Sequence, residues 1–115
     1  VEQQIAKSEI LNIITEQETD LELELDNFWR LINIIPEYWE ADSYGQKGKR
    51  FWVVGICGKA MIWYNDIENG FNLGTYDTYG KIENYTCNRY ELRQLLWQLY
   101  NWRNYPKRIA TEPTV

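Results

Sequence analysis

Two short apolar runs, Phe51–Cys57 and Ala60–Tyr64, constrain this chain most. They are separated only by Gly58-Lys59, a turn dipeptide, and read as a β-hairpin. Neither run alternates. Both are apolar on successive residues, so both put hydrophobic side chains on the two faces of a sheet. An antiparallel sheet with one wet face should alternate there. The second face must therefore be covered by another element or be a surface meant for another molecule.

The remaining elements follow from spacing. Ala6, Ile10, Ile13 and Ile14 share one helical face within residues 3–17. Residues 19–35 carry two patterns. Leu21, Leu23 and Leu25 alternate with carboxylates, as in a strand, while Leu21, Leu25, Phe28, Ile32 and Ile35 repeat as in a helix. Thr19 followed by Glu22 has the spacing of a capping box, and Leu and Glu favour helix, so the helical pattern is preferred. Pro36 disfavours helix at Ile35, and Pro36–Lys49 reads as a loop. Phe71–Tyr76 and Lys81–Cys87 are a third and fourth strand. Asn88, three residues before Glu91, caps a final helix with the stripe Leu92, Leu95, Leu96 and Leu99, which Pro106 ends. The expected fold is α+β: N-terminal helices, a four-stranded antiparallel meander, and a C-terminal helix packed on one face. One domain spans residues 1–106, with a loose tail over 107–115. At 115 residues the chain has no room for two cores.

Charge is unevenly placed. Residues 1–42 hold eleven carboxylates and two basic residues, against a net of −5 for the whole chain. Such a chain is poorly suited to direct binding of nucleic acid, which needs clustered Lys and Arg, and better suited to a basic protein partner. Glu16, Glu18, Asp20, Glu22, Glu24 and Asp26 are six carboxylates in eleven residues. In an extended segment they would stand about 6–7 Å apart on one face, as phosphates do along a nucleic-acid strand. In helices they would spread over the solvent side as ordinary solvation.

Catalytic signatures are sparse. The chain has no histidine, which removes the usual general base and the usual metal ligand. It lacks a nucleophile elbow, a P-loop and a dinucleotide fingerprint. No catalytic residue, metal or cofactor is assigned. Asp66 and Glu68, with Asn65 beside them, are the one carboxylate pair that acid–base chemistry or a ligand loop would use, although such residues also build plain turns. Gly45–Arg50 is a short basic glycine loop, read as a turn. Asn84-Tyr85-Thr86 fits a glycosylation acceptor and is taken as chance. Cys57 and Cys87 fall in apolar runs and read as buried free thiols, with a single bridge between them left open. There is no secretory signal and no apolar run of membrane-spanning length, so the expected location is the cytoplasm.

Aromatic residues are abundant, with six Trp and nine Tyr against three Phe, too many for so small a core alone. Trp, Tyr and Arg are enriched at binding hot spots. Trp52, Trp63, Tyr76 and Tyr85 on the strands, with the acids Glu18, Asp20, Glu22 and Glu24, form the expected partner-binding set. An aromatic platform for a sugar or nucleobase and a homodimer are the alternatives. Trp97, Tyr100 and Trp102 lie on the last helix near Arg93 and Arg103.

The run Trp63-Tyr64-Asn65-Asp66-Ile67-Glu68-Asn69-Gly70-Phe71-Asn72, with Tyr79-Gly80 and the helix after Asn88, resembles small bacterial α+β domains of uncharacterised function and some toxin-immunity proteins. The resemblance spans about residues 50–100 and carries over no functional residue. It implies a small cytoplasmic binder of another protein, without catalysis of its own.

Overall fold

The computed structural model describes residues 5–41 and 49–111, with side chains followed as far as Asn101. Helix α1 (Lys7–Glu18) and helix α2 (Leu23–Ile32) come first. Strands β1 (Asn33–Ala41), β2 (Arg50–Cys57), β3 (Ala60–Asn65), β4 (Gly70–Thr75) and β5 (Lys81–Ile82) follow, and helix α3 (Leu92–Thr111) closes the chain. The sheet order is β4-β3-β2-β1-β5. The first four strands form an antiparallel meander, and β5 lies parallel to β1 through Glu40↔Lys81 and Ala41↔Ile82. The chain is α+β, with all three helices on one face of the sheet.

Several local expectations are corrected. Residues 33–41 are a strand, where helix was expected up to Ile35 and a loop from Pro36 on. Pro36 sits where the β1–β2 register shifts between Asn33 and Glu37, and a bulge is where a strand tolerates a residue without an N–H. The fourth expected strand shrinks to Lys81–Ile82: beyond Glu83, the backbone of Thr86 and Asn88 bonds to the side chains of Asn65 and Asn72 rather than to a ladder. Thr19 does not cap α2. It ends α1, with its hydroxyl donating to the Glu16 carbonyl at 2.7 Å. Asn88 does not cap α3. The Gln17 side chain, reaching over from α1, accepts the Leu92 N–H at 2.6 Å, and Gln94 accepts that of Glu91 at 2.8 Å. Pro106 does not end α3, which runs on to Thr111; residues 112–115 lie outside the described residues. Both cysteines are free thiols, but neither is buried as expected: Cys57 is half-buried and Cys87 exposed.

Why the central strands are apolar on both faces is now plain. On the convex face α1, α2 and α3 cover Val54, Ile62, Tyr64 and Phe71 with Ile10, Ile14, Leu25, Phe28, Trp29 and the leucine stripe of α3. On the concave face the sheet covers itself. Ile82 pairs with Ala41 of β1, while the next residue, Glu83, donates its N–H to the Thr75 carbonyl of β4 at 3.1 Å. The two sides of the sheet are thereby drawn together at that end. The curl encloses Trp39, Phe51, Val53, Met61, Trp63 and Ile82. Gly55 lets the layers approach: a Cβ there would stand 2.9 Å from the ring of Trp29. Among the described residues no helix is long and apolar enough to cross a membrane.

Candidate functional site

The strand aromatics do not form one outward platform. Trp63 is 0% exposed inside the curl, against Phe51 at 4.8 Å between ring centroids. Tyr85 packs on the same two rings and Tyr76 meets Trp39 edge-on at 5.1 Å, its hydroxyl donating to the Gly58 carbonyl. All three serve the interior core. Trp52 lies on the opposite face. It stacks on Tyr38 at 3.7 Å, and its indole N–H donates to the Ile5 carbonyl at 2.9 Å, where the Tyr38 hydroxyl also donates. This pair fastens the start of the chain across the sheet.

The Asp66 and Glu68 carboxylates point to different partners. Asp66 is 7% exposed, facing the equally buried Lys49 ammonium at 3.7 Å, and its other oxygen accepts the Ile5 N–H. Glu68 reaches out to Arg89 at 3.2 Å. Asn65 is the turn former: its Oδ1 accepts the N–H groups of Ile67 and Glu68, and its Nδ2 donates to Tyr85 Oη and the Thr86 carbonyl. Asn69, at φ 61°, completes the reversal. This loop is a tight turn in which Asp66 and Glu68 engage separate basic partners, Asp66 in a buried ion pair with Lys49 and Glu68 at the surface with Arg89. Burial raises the Tyr38 and Tyr64 hydroxyls above the ordinary tyrosine range, and the Asp66 charge adds to this. Among the described residues no three His, Cys, Asp or Glu side chains are grouped to hold a metal ion. Most of the glycine loop, residues 45–48, lies outside the described residues, as do the side chains of Trp102 and Arg103.

The acidic series is not extended. Glu16 and Glu18 end α1, Asp20 lies in the turn, and Glu22, Glu24 and Asp26 open α2. Phosphate-like spacing therefore does not arise. The acids gather instead at the α1–α2 corner. Glu18 accepts the Trp29 indole N–H at 2.7 Å, Asp26 pairs with Arg30, and Glu22 takes Arg93 of α3 through both carboxylate oxygens at 3.1 Å. The Arg93 hydrogen bonds hold the Glu22 carboxyl below the usual range. Among the described residues Glu16, Asp20 and Glu24 have no ion-pair partner and remain as free negative charge.

Beside this corner lies a groove that the aromatic inventory misses. The Glu22–Arg93 pair joins the starts of α2 and α3, and Phe28 meets Tyr100 at 5.7 Å about two turns on, so the helices run in the same direction. Glu24, Asn27, Leu31 and Tyr100 wall a cleft of about 210 Å³ floored by Phe28. Trp97, three residues before Tyr100 and four after Arg93, stands on the same shoulder of α3. It is 53% exposed, and Leu23 and Leu31 of α2 are each 75% exposed. The sequence does hold a signal for them. Leu23 and Leu31 are the leucines of α2 that fall off the buried stripe Leu25, Phe28, Trp29 and Ile32, and a leucine off the stripe faces water.

Compared with protein families, curated proteins and solved structures, the chain gives no match.

Proposed function

We propose that this chain is a protein-interaction domain, and that the groove between α2 and α3 receives a basic amphipathic segment of another protein. The observation that carries this reading is the conjunction of three large apolar side chains more than half exposed on α2 and α3, Leu23, Leu31 and Trp97, with the unpaired acid Glu24, which lines the cleft together with Leu31, and Asp20 in the turn before α2. Exposed apolar residues rimmed by charge are the ordinary composition of a docking surface. Trp97 and Leu31 supply apolar anchors, and the acids steer a cationic partner into reach. Acting in the bacterial cytoplasm as an inhibitor of a toxic partner, the role implied by the resemblance to immunity proteins, is the form of this function we favour.

The test compares two immobilised proteins, the native chain and a Leu31→Glu, Trp97→Ala variant, exposed to lysate of the native cells. The expected outcome is a basic protein retained by the native chain, released by salt and absent from the variant column. Identical retained sets on both columns overturn the reading. Sedimentation of the native chain at micromolar concentration separates self-association from binding to another protein.

A further inference from the structure

A second cavity lies at the far edge of the sheet, away from the groove. After β5 the chain turns back along the outer edge of β4. It meets β4 at Thr75, whose carbonyl takes the Glu83 N–H, and at Phe71, which exchanges both backbone hydrogen bonds with Tyr90 at 2.9 and 3.3 Å. Between those points it does not close on the strand. There a cavity of about 550 Å³ opens, bounded by Leu73 and Gly74 of β4, Asn84 and Thr86 of the returning segment, and Gln98 and Leu99 of α3. That volume is within the range of small-molecule sites.

The strand register says what faces it. Tyr76 donates to Lys59 across the β3–β4 hairpin, so in this antiparallel pair Gly74 and Asn72 bond inward to β3. Phe71, Leu73 and Thr75 then turn their N–H and C=O outward. Those of Phe71 and Thr75 are used at the two ends. The outward N–H and C=O of Leu73 have no partner among the described residues, and neither do the carboxamides of Asn84 and Gln98. The walls are otherwise apolar and none of the bounding side chains is ionisable. The nearest carboxylate, Glu83, is engaged by the Thr75 hydroxyl at 2.9 Å.

We propose that this cavity binds a small uncharged ligand bearing an adjacent hydrogen-bond donor and acceptor on an apolar body, of the lactam or cyclic-imide kind. One such group matches the donor and acceptor of Leu73 as a single residue of an antiparallel strand would. A whole strand does not fit, because the edge is already paired at Phe71 and at Thr75. Asn84 and Gln98 supply adaptable polar contacts at the rim, and Leu73 and Leu99 receive the apolar body.

The experiment titrates ε-caprolactam into the full ¹⁵N-labelled chain up to tens of millimolar, since so small a probe binds weakly, and follows the amide spectrum. The expected result is saturable shifts centred on Leu73 and the Asn84–Thr86 segment. N-Methylcaprolactam, which lacks the donor, should bind about tenfold more weakly, the value of one hydrogen bond. Ala60 of β3 also lines the cavity, so Ala60→Leu, which fills it, should abolish the shifts with the rest of the spectrum preserved. Should that variant not fold, Gln98→Ala on the exposed face of α3 should weaken binding severalfold. Absence of a saturable shift at Leu73, or equal binding of the methylated probe, overturns the proposal.

Discussion

Single polar side chains organise much of this molecule from within. Asn72, buried on β4, donates to the carbonyls of Gly70 and Asn88 and accepts from the Asn88 N–H and the Thr86 hydroxyl. It thus stands in for a missing strand partner along residues 86–88. Asn72→Ala strands several of these groups at once and should cost about 2–4 kcal/mol in urea denaturation. The Lys49–Asp66 pair is a different case. Removing one partner leaves the other charge buried without its counter-charge, so Lys49→Met should destabilise by about 3–5 kcal/mol. Adding Asp66→Leu should recover most of that loss, because two apolar groups need no compensation; a double variant as unstable as the single would refute this view of the pair. Alkaline titration offers a third check. Tyr38 and Tyr64 are raised by burial, and Tyr79 by its hydrogen bond to Glu37. For groups held protonated in the fold, stability is complete below the unfolded tyrosine value and falls as pH rises through the raised one. Tm should therefore hold up to the ordinary tyrosine range and decline above it, with part of the phenolic absorbance change appearing only on unfolding.

At the scale of elements, close approach decides what the strands tolerate. Gly55 faces the ring of Trp29, which is only 1% exposed, and the Ile32 carbonyl stands 3.4 Å from the position a Cβ would take. Gly55→Ala should cost about 1–3 kcal/mol by overpacking, measured as a lower denaturation midpoint. Gly70 is more severe, since a Cβ there would stand 2.2 Å from the Arg89 backbone, and backbone has less room to yield than a side-chain tip. Much of this layout is legible in the sequence. The leucine stripe of α3 and the doubly apolar hairpin of β2 and β3 announce themselves by period and by turn. β1 does not, because Pro36 reads as a breaker until a bulge is there to hold it. The capping of α3 by Gln17 is also invisible, being a contact across 75 positions of sequence. The site is legible in residue type more than in place. Alternation puts Trp63 on one side of a strand, but only the curl of the sheet shows that this side is closed. Trp97 is named by its position on the last helix, yet the cleft beside it, lined by Leu31, emerges only once α2 is known to run beside α3.

For the whole molecule, the arrangement separates tasks. The curled sheet and its inner aromatics hold the frame, and the helical layer presents charge and exposed apolar surface together. Negative charge collects where α1 turns into α2, and the groove opens from that corner. Electrostatic steering acts mainly on association, whereas buried anchors act mainly on dissociation. Asp20 and Glu24 are the residues to test for steering, since Glu22 is already engaged by Arg93. The direct measurement is stopped-flow binding of the partner retained by the native chain, over a series of ionic strengths, to three proteins: native, Asp20→Lys with Glu24→Lys, and Leu31→Glu with Trp97→Ala. The expected result is slower association with a weaker salt dependence for the lysine pair, and faster dissociation for the groove pair. Association and dissociation rates unchanged in both variants would contradict the placement of the binding surface on α2 and α3.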